Sequence, residues 1–113
     1  MNEPLQKEME WLVRGYYHRC RSYRQALQQI DARYHGDRRQ IAQALLLFLP
    51  EMQKMQAVDK ALQKTDPIVA NALLRNIIDR IPPCQLDCPM GRRQFYRERR
   101  RFLTCVAQNL GCI

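Results

Sequence analysis

Residues 91–111 read GRRQFYRERRRFLTCVAQNLG, and this stretch predicts a two-sided helix that must dock on a core. At about 100° per residue, its apolar side chains fall on one side of a helical wheel and most of its basic side chains on the other. The apolar side consists of Phe95, Phe102, Leu103, Val106 and Leu110, and the polar side of Arg93, Gln94, Arg97, Arg100, Arg101 and Thr104. Arg92 and Tyr96 lie on the flanks. The sequence therefore predicts a helix from Gly91 to Asn109 that leaves a basic side in solvent.

Arg99 is the exception on this helix, because it projects from the apolar side. We expect its aliphatic stem to pack against the core while its guanidinium pairs with an acid, for which Asp79 is the candidate. Arg99 is therefore predicted to have a structural role.

Another helix is predicted just upstream, beginning at residue 65. Asp66 can cap its first turn, and Pro67 suits the first helical position. Its buried face is expected to contain Ile68, Leu73, Leu74, Ile77, Ile78 and Ile81. A proline-rich connector, residues 82–90, then separates it from the last helix. We expect the apolar side of the last helix to pack on this upstream helix.

The N-terminal half predicts two further helical segments. A long helix is predicted over residues 4–34, and Gly36 ends it. Asp37 can cap the next helix, and Pro50 should kink or split it. The first apolar stripe contains Leu5, Met9, Leu12, Tyr16, Tyr23, Ala26 and Ile30, and the second contains Ile41, Leu45, Phe48, Met52, Met55 and Leu62. The first stripe has heptad-like spacing, which is typical of a core face, and a coiled-coil dimer seam is the alternative.

Together these segments predict an all-α fold. Residues 1–64 form a long helical hairpin, a scaffold and a candidate homodimer surface, and they pack on a helix-turn-helix-like pair in residues 65–113. The length of 113 residues and the hydrophobic content of 46% suit one compact domain with a real core.

Charge and composition narrow the class of protein. Lys and Arg total 19 against 11 acidic residues, a net charge of +8, which favours polyanions, an acidic partner or a membrane surface. No apolar run is long enough to span a bilayer, and the N-terminus lacks the pattern of a secretory signal. Five cysteines in no disulfide-like pattern suggest reduced thiols. We therefore expect a cytoplasmic protein without membrane contact.

The beginning of the last helix points to DNA. The end of a helix that already carries partial positive charge here also carries Arg92 and Arg93, so an anion such as phosphate should bind there. Arg93, Gln94 and Arg97 are residue types that read base edges in the major groove. Arg100 and Arg101 are better placed for backbone phosphates. The predicted DNA-binding residues are Arg92, Arg93, Gln94, Tyr96, Arg97, Arg100, Arg101 and Thr104.

The same stretch resembles the last helix of phage-encoded transcriptional regulators of the ArpU and RinA kind, whose helix-turn-helix is similar to sigma-factor region four. The likeness is carried by a capping residue, a basic pair, an aromatic pair, a basic cluster and an apolar tail, here Gly91, Arg92–Arg93, Phe95–Tyr96, residues 97–101 and Phe102–Leu103. It covers residues 65–111 and departs at PPCQLDCPM, where the family has a short helix and a tight turn. The resemblance implies regulation of phage or prophage genes in a bacterial host.

Other functions have less support. A helical adaptor that binds an acidic protein such as RNA polymerase is the main alternative, followed by a small DNA-packaging subunit. Cys84 and Cys88 could supply two thiolates to zinc, but their spacing is not a usual zinc pattern. No motif suggests catalysis or a cofactor, so we expect no enzyme.

Overall fold

The computed structural model describes residues 1–113, and the chain is helical throughout, without a strand. The six helices are α1 (Glu3–Arg14), α2 (Tyr16–Tyr34), α3 (Arg38–Leu45), α4 (Leu49–Gln63), α5 (Pro67–Asp79) and α6 (Arg92–Asn109). Two 3-10 turns, Leu46–Phe48 and Pro83–Gln85, lie ahead of α4 and α6. The predicted all-α class is confirmed. None of the helices combines the length and the apolar character that crossing a bilayer requires.

The predicted long helix over residues 4–34 is wrong at one position, because Gly15 divides it into α1 and α2. The guanidinium of Arg19 lies over this glycine and donates from Nη1 to the Leu12 carbonyl at 2.5 Å and from Nε to Glu51 at 2.9 Å. A Cβ atom on Gly15 would lie only 2.7 Å from Arg19 Nη1. The glycine thus makes room for an arginine that binds the end of α1 and fastens it to α4.

Two of the helix boundaries predicted in the N-terminal half are confirmed. The Asp37 carboxylate accepts from the backbone amides of Arg39 and Gln40 at the beginning of α3. Pro50 lies in the first turn of α4, directly after a 3-10 turn, so the proline splits the second segment as expected. Helix α2 packs against both α3 and α4.

A buried hydrogen bond joins α2 to α4, from the Tyr16 hydroxyl to the Asp59 carboxylate. Burial, and then the adjacent Asp59, raise the pKa of Tyr16 above its usual value. The heptad stripe is therefore occupied within the chain over much of its length, since Met9 and Leu12 belong to the core and Ala26 is buried as well.

A single core cluster draws on α1, α4, α5 and α6. Its fully enclosed large side chains include Leu73 and Ile77 of α5 and Phe95 and Phe102 of α6. Contrary to expectation, α6 packs chiefly on α4 and α1 rather than on α5. The reason is the face of α4, where buried Ala57 and Ala61 let α6 approach closely.

The end of α2, α3 and the following 3-10 turn project from this core as an arm, which we define as residues 20–48. Ala26 is its only buried residue, and Leu47 in the turn is 83% exposed. The molecule is accordingly elongated, with extents of 52 × 29 × 20 Å. Its radius of gyration is 16.4 Å, whereas a compact chain of this length has about 13 Å.

Candidate nucleic-acid interface

Helix α6 begins without a side-chain cap. Gly91 holds the N-cap position in an extended conformation, and no side chain accepts from the first amides of the helix. Arg92 and Arg93 follow, both exposed, and no acidic residue lies in the first turn. The partial positive charge of the helix terminus is therefore reinforced by side chains and left without an internal anion.

The polar side of α6 faces solvent, as the helical wheel predicted. Its exposed residues are Arg93, Gln94, Arg97, Arg100 and Arg101, while Thr104 is partly buried. The opposite side is in the core and contributes Phe95, Phe102, Leu103, Val106 and Ala107. The two-sided character of the helix is confirmed.

The guanidinium groups on this side are mostly free of carboxylates. Only Arg101 has an acidic neighbour, Glu98 at 3.7 Å, and the Arg101 side chain is 80% exposed. An exposed pair at that distance contributes little and would not compete with an incoming anion. No carboxylate lies within ion-pair distance of Arg93, Arg97 or Arg100.

Arg99 is held inside the structure, which agrees with the structural role expected for it. Its Nη1 donates to Glu10 of α1 at 3.0 Å, and its Nε donates to Asn76 of α5 at 2.9 Å. The expected partner, Asp79, was wrong, because α6 packs on α1 and so brings Glu10 to the guanidinium. The Arg99 side chain is 13% exposed and that of Glu10 is 17%. Arg99 therefore links three helices and is not free to bind a ligand.

Arg92 and Tyr96 lie on the flank of α6 next to the connector. The Arg92 guanidinium is 5.9 Å from the centroid of the Tyr96 ring, within cation–π range, and the ring is partly exposed. Phe95 meets the Tyr96 ring edge to face at 5.8 Å. Buried Phe95 thus orients a tyrosine that presents its hydroxyl end to solvent.

One part of this basic surface could not be read from the sequence. A cleft of about 500 Å³ separates the end of α4 from α6, and Lys64 faces the arginines of α6 across it. Lys64 is remote from α6 along the chain and has no motif around it. The packing of α4 against α6 brings them together.

The connector differs from a tight turn. Twelve residues, 80–91, separate α5 from α6, and within them Leu86 is buried against the core while Arg80 adopts a left-handed conformation at the end of α5. Helix-turn-helix motifs usually join their helices through three or four residues. The short helix of the motif is represented here by the 3-10 turn Pro83–Gln85.

The connector cysteines have no partner set for a metal. Cys84 is exposed and Cys88 is partly buried, and no group of three or more His, Cys, Asp or Glu side chains is placed to hold an ion. Burial, together with the charges of Asp66 and Asp87, raises the pKa of the Cys88 thiol, which opposes the thiolate form that zinc requires.

Comparisons of the chain with protein-family models, with curated proteins and with solved structures found no match. The geometry and chemistry of α6 and its surroundings are therefore the basis for assigning a function.

Proposed function

We propose that this chain binds double-stranded DNA through the exposed side of α6 and acts in the bacterial cytoplasm as a sequence-specific transcriptional regulator, encoded by a phage or prophage. The observation that carries the proposal is a row of exposed arginines without carboxylate partners, beginning at an uncapped helix terminus. An anionic polymer would neutralise both the side chains and the terminus. The phage origin rests on the family resemblance of residues 65–111 alone.

The position of each residue along α6 suggests its role. The helix has 18 residues and is about 27 Å long, and the major groove is about 12 Å wide, which admits such a helix. Arg93, Gln94 and Arg97 near the beginning would contact base edges, whereas Arg100 and Arg101 would contact phosphates. In this arrangement α5 and α6 act as a helix-turn-helix-like pair whose connector is longer than usual.

A matched pair of variants tests the assignment. The test variant replaces Arg93, Arg97, Arg100 and Arg101 by Ala. The control replaces Arg21, Arg24, Arg38 and Arg39, four exposed arginines of the arm without ion pairs, by Ala. Both lose the same charge, so net charge alone cannot separate them.

Duplexes selected from a random DNA pool, followed by fluorescence anisotropy at several salt concentrations, provide the readout. The wild type should enrich a consensus, and the slope of log K against log salt should fall by about 3–4 in the test variant, because each lost phosphate contact removes about 0.9. The control should keep most of the affinity. Full DNA affinity in the test variant would reject the proposal and favour an adaptor for an acidic partner such as RNA polymerase. Binding without any enriched consensus would favour a packaging role.

We further propose that the arm contacts a second copy of this chain, giving a homodimer that reads two half-sites. The accessible surface is 7970 Å², about 1,500 Å² more than the roughly 6,500 Å² of a compact monomer of this mass. Burying about 800 Å² per partner is enough for a standard interface. Exposed Leu46, Leu47 and Leu49 supply the apolar part. Residues 41–50 carry no charge, so two copies can meet there without repulsion and an acidic partner would find no cation.

A further inference from the structure

The cleft between α4 and α6 is lined by cations from two separate elements. Lys64 comes from the end of α4, and Arg97, Arg100 and Arg101 come from successive turns of α6. Thr104 and Gln108 add neutral polar groups, and no aspartate or glutamate lines the cleft. Its apolar part is formed by Ala61 and Phe102, both buried. The opening is therefore a groove with cationic and hydrogen-bonding sides and an apolar base.

The charges of this groove are not neutralised within the molecule. Neither Lys64, Arg97 nor Arg100 has a carboxylate within ion-pair distance, and Arg101 has only the long contact to Glu98. Like charges gathered around one opening repel one another, and the repulsion is stronger near an apolar surface than in open water. An anion in the groove would reverse the sign of these interactions.

We propose that this groove seats a phosphoryl group, and specifically a backbone phosphate of the duplex that α6 binds, with Lys64 as a ligand from outside the recognition helix. The proposal rests on the proposed function and adds a contact to it. A phosphate held between α4 and α6 would fix the rotation of α6 about its own axis, because one contact comes from each helix. Contacts of this kind set the register of a protein on DNA without reading sequence.

The same chemistry would accept free inorganic phosphate, so the experiment needs two arms. In the first arm, wild type, Lys64→Ala and Lys60→Ala bind the selected duplex and an unrelated duplex over a range of salt. Lys60 is the matched control, since it is an exposed lysine of α4 that lies outside this groove. In the second arm, thermal unfolding is followed with inorganic phosphate and with chloride at equal ionic strength.

We expect Lys64→Ala to weaken both duplexes about five- to tenfold near 0.1 M salt and to lower the salt slope by about 0.9, the value for one phosphate contact. Lys60→Ala should stay within about twofold of wild type, in keeping with a solvated lysine. Lys64 is exposed, so its variant should unfold at the wild-type temperature, which excludes misfolding as the cause.

The outcomes separate the two proposals. If wild type binds duplexes and Lys64→Ala keeps the full affinity and slope, the groove is not a phosphate seat, while the proposed function stands. If wild type binds no duplex at all, both the proposed function and the DNA phosphate are rejected. If, in that case, inorganic phosphate stabilises wild type but not Lys64→Ala, the groove binds free phosphate instead.

Discussion

The two kinds of arginine on α6 can be separated by breaking the partner of one of them. The perturbation is Glu10→Ala, which removes the carboxylate that accepts from Arg99 at 3.0 Å. Arg99 keeps only its bond to Asn76 and remains in a site where its side chain is 13% exposed. The variant leaves every residue of the proposed DNA contact untouched.

The expected magnitude follows from the burial of the pair. Breaking a buried ion pair costs about 3–5 kcal/mol, and a hydrogen bond to a charged group contributes about 1.5–3 kcal/mol. Glu10 and Arg99 retain some solvent contact, so we expect a loss of about 2–3 kcal/mol in the free energy of unfolding, between these values. For a domain of this size the Tm should fall by about 8–12 °C.

The assay is thermal and urea unfolding followed by circular dichroism, together with DNA affinity measured well below the Tm. Glu8→Ala is the control, because Glu8 is exposed on the same helix and forms no ion pair; it should change stability by less than about 0.5 kcal/mol. Arg97→Ala should show the reverse pattern, with an unchanged Tm and weaker DNA binding. A Glu10→Ala protein that melts with the wild type would refute the structural role given to Arg99.

Two further predictions concern the arm and the junction between α2 and α4. Sedimentation at micromolar concentration should give the mass of two chains, and replacing Leu46, Leu47 and Leu49 by Ser should give one; a wild-type monomer would remove the dimer proposal. For Glu51, burial acts to raise the pKa, but hydrogen bonds and charge, above all from Arg19, outweigh it and hold the pKa below 4.5. The stabilisation is therefore present above that pH and lost as pH falls through the folded-state pKa. Glu51→Gln should be less stable than wild type at neutral pH in urea, and a deficit that stays constant on acidification would contradict this.

Local patterns in the sequence predicted much of the fold. The wheel of α6 gave the correct buried side, because helical periodicity depends only on the chain itself. The caps at Asp37 and Asp66 and the split at Pro50 were likewise correct, since each depends on residues within one turn. These features make an all-helical chain readable as a series of segments.

Features that depend on which segments meet could not be predicted. The break at Gly15 depends on Arg19 reaching Glu51 of another helix, and the partner of Arg99 depends on α1 lying beside α6. The basic groove requires Lys64 to face α6, which follows from close packing at the alanines of α4. Periodicity identifies a buried face and carries no information about which helix covers it.

Gly91 sets a limit on how far this chain could be made more robust without harm to its proposed activity. A Ser, Asp or Asn at this position would bind the free amides of the first turn and stabilise the helix by about 1 kcal/mol. The same amides, left open by glycine, are where an incoming phosphate would dock. Thermostability and ligand recognition therefore compete for the same few hydrogen atoms, and a variant library screened for heat resistance alone would select against the activity.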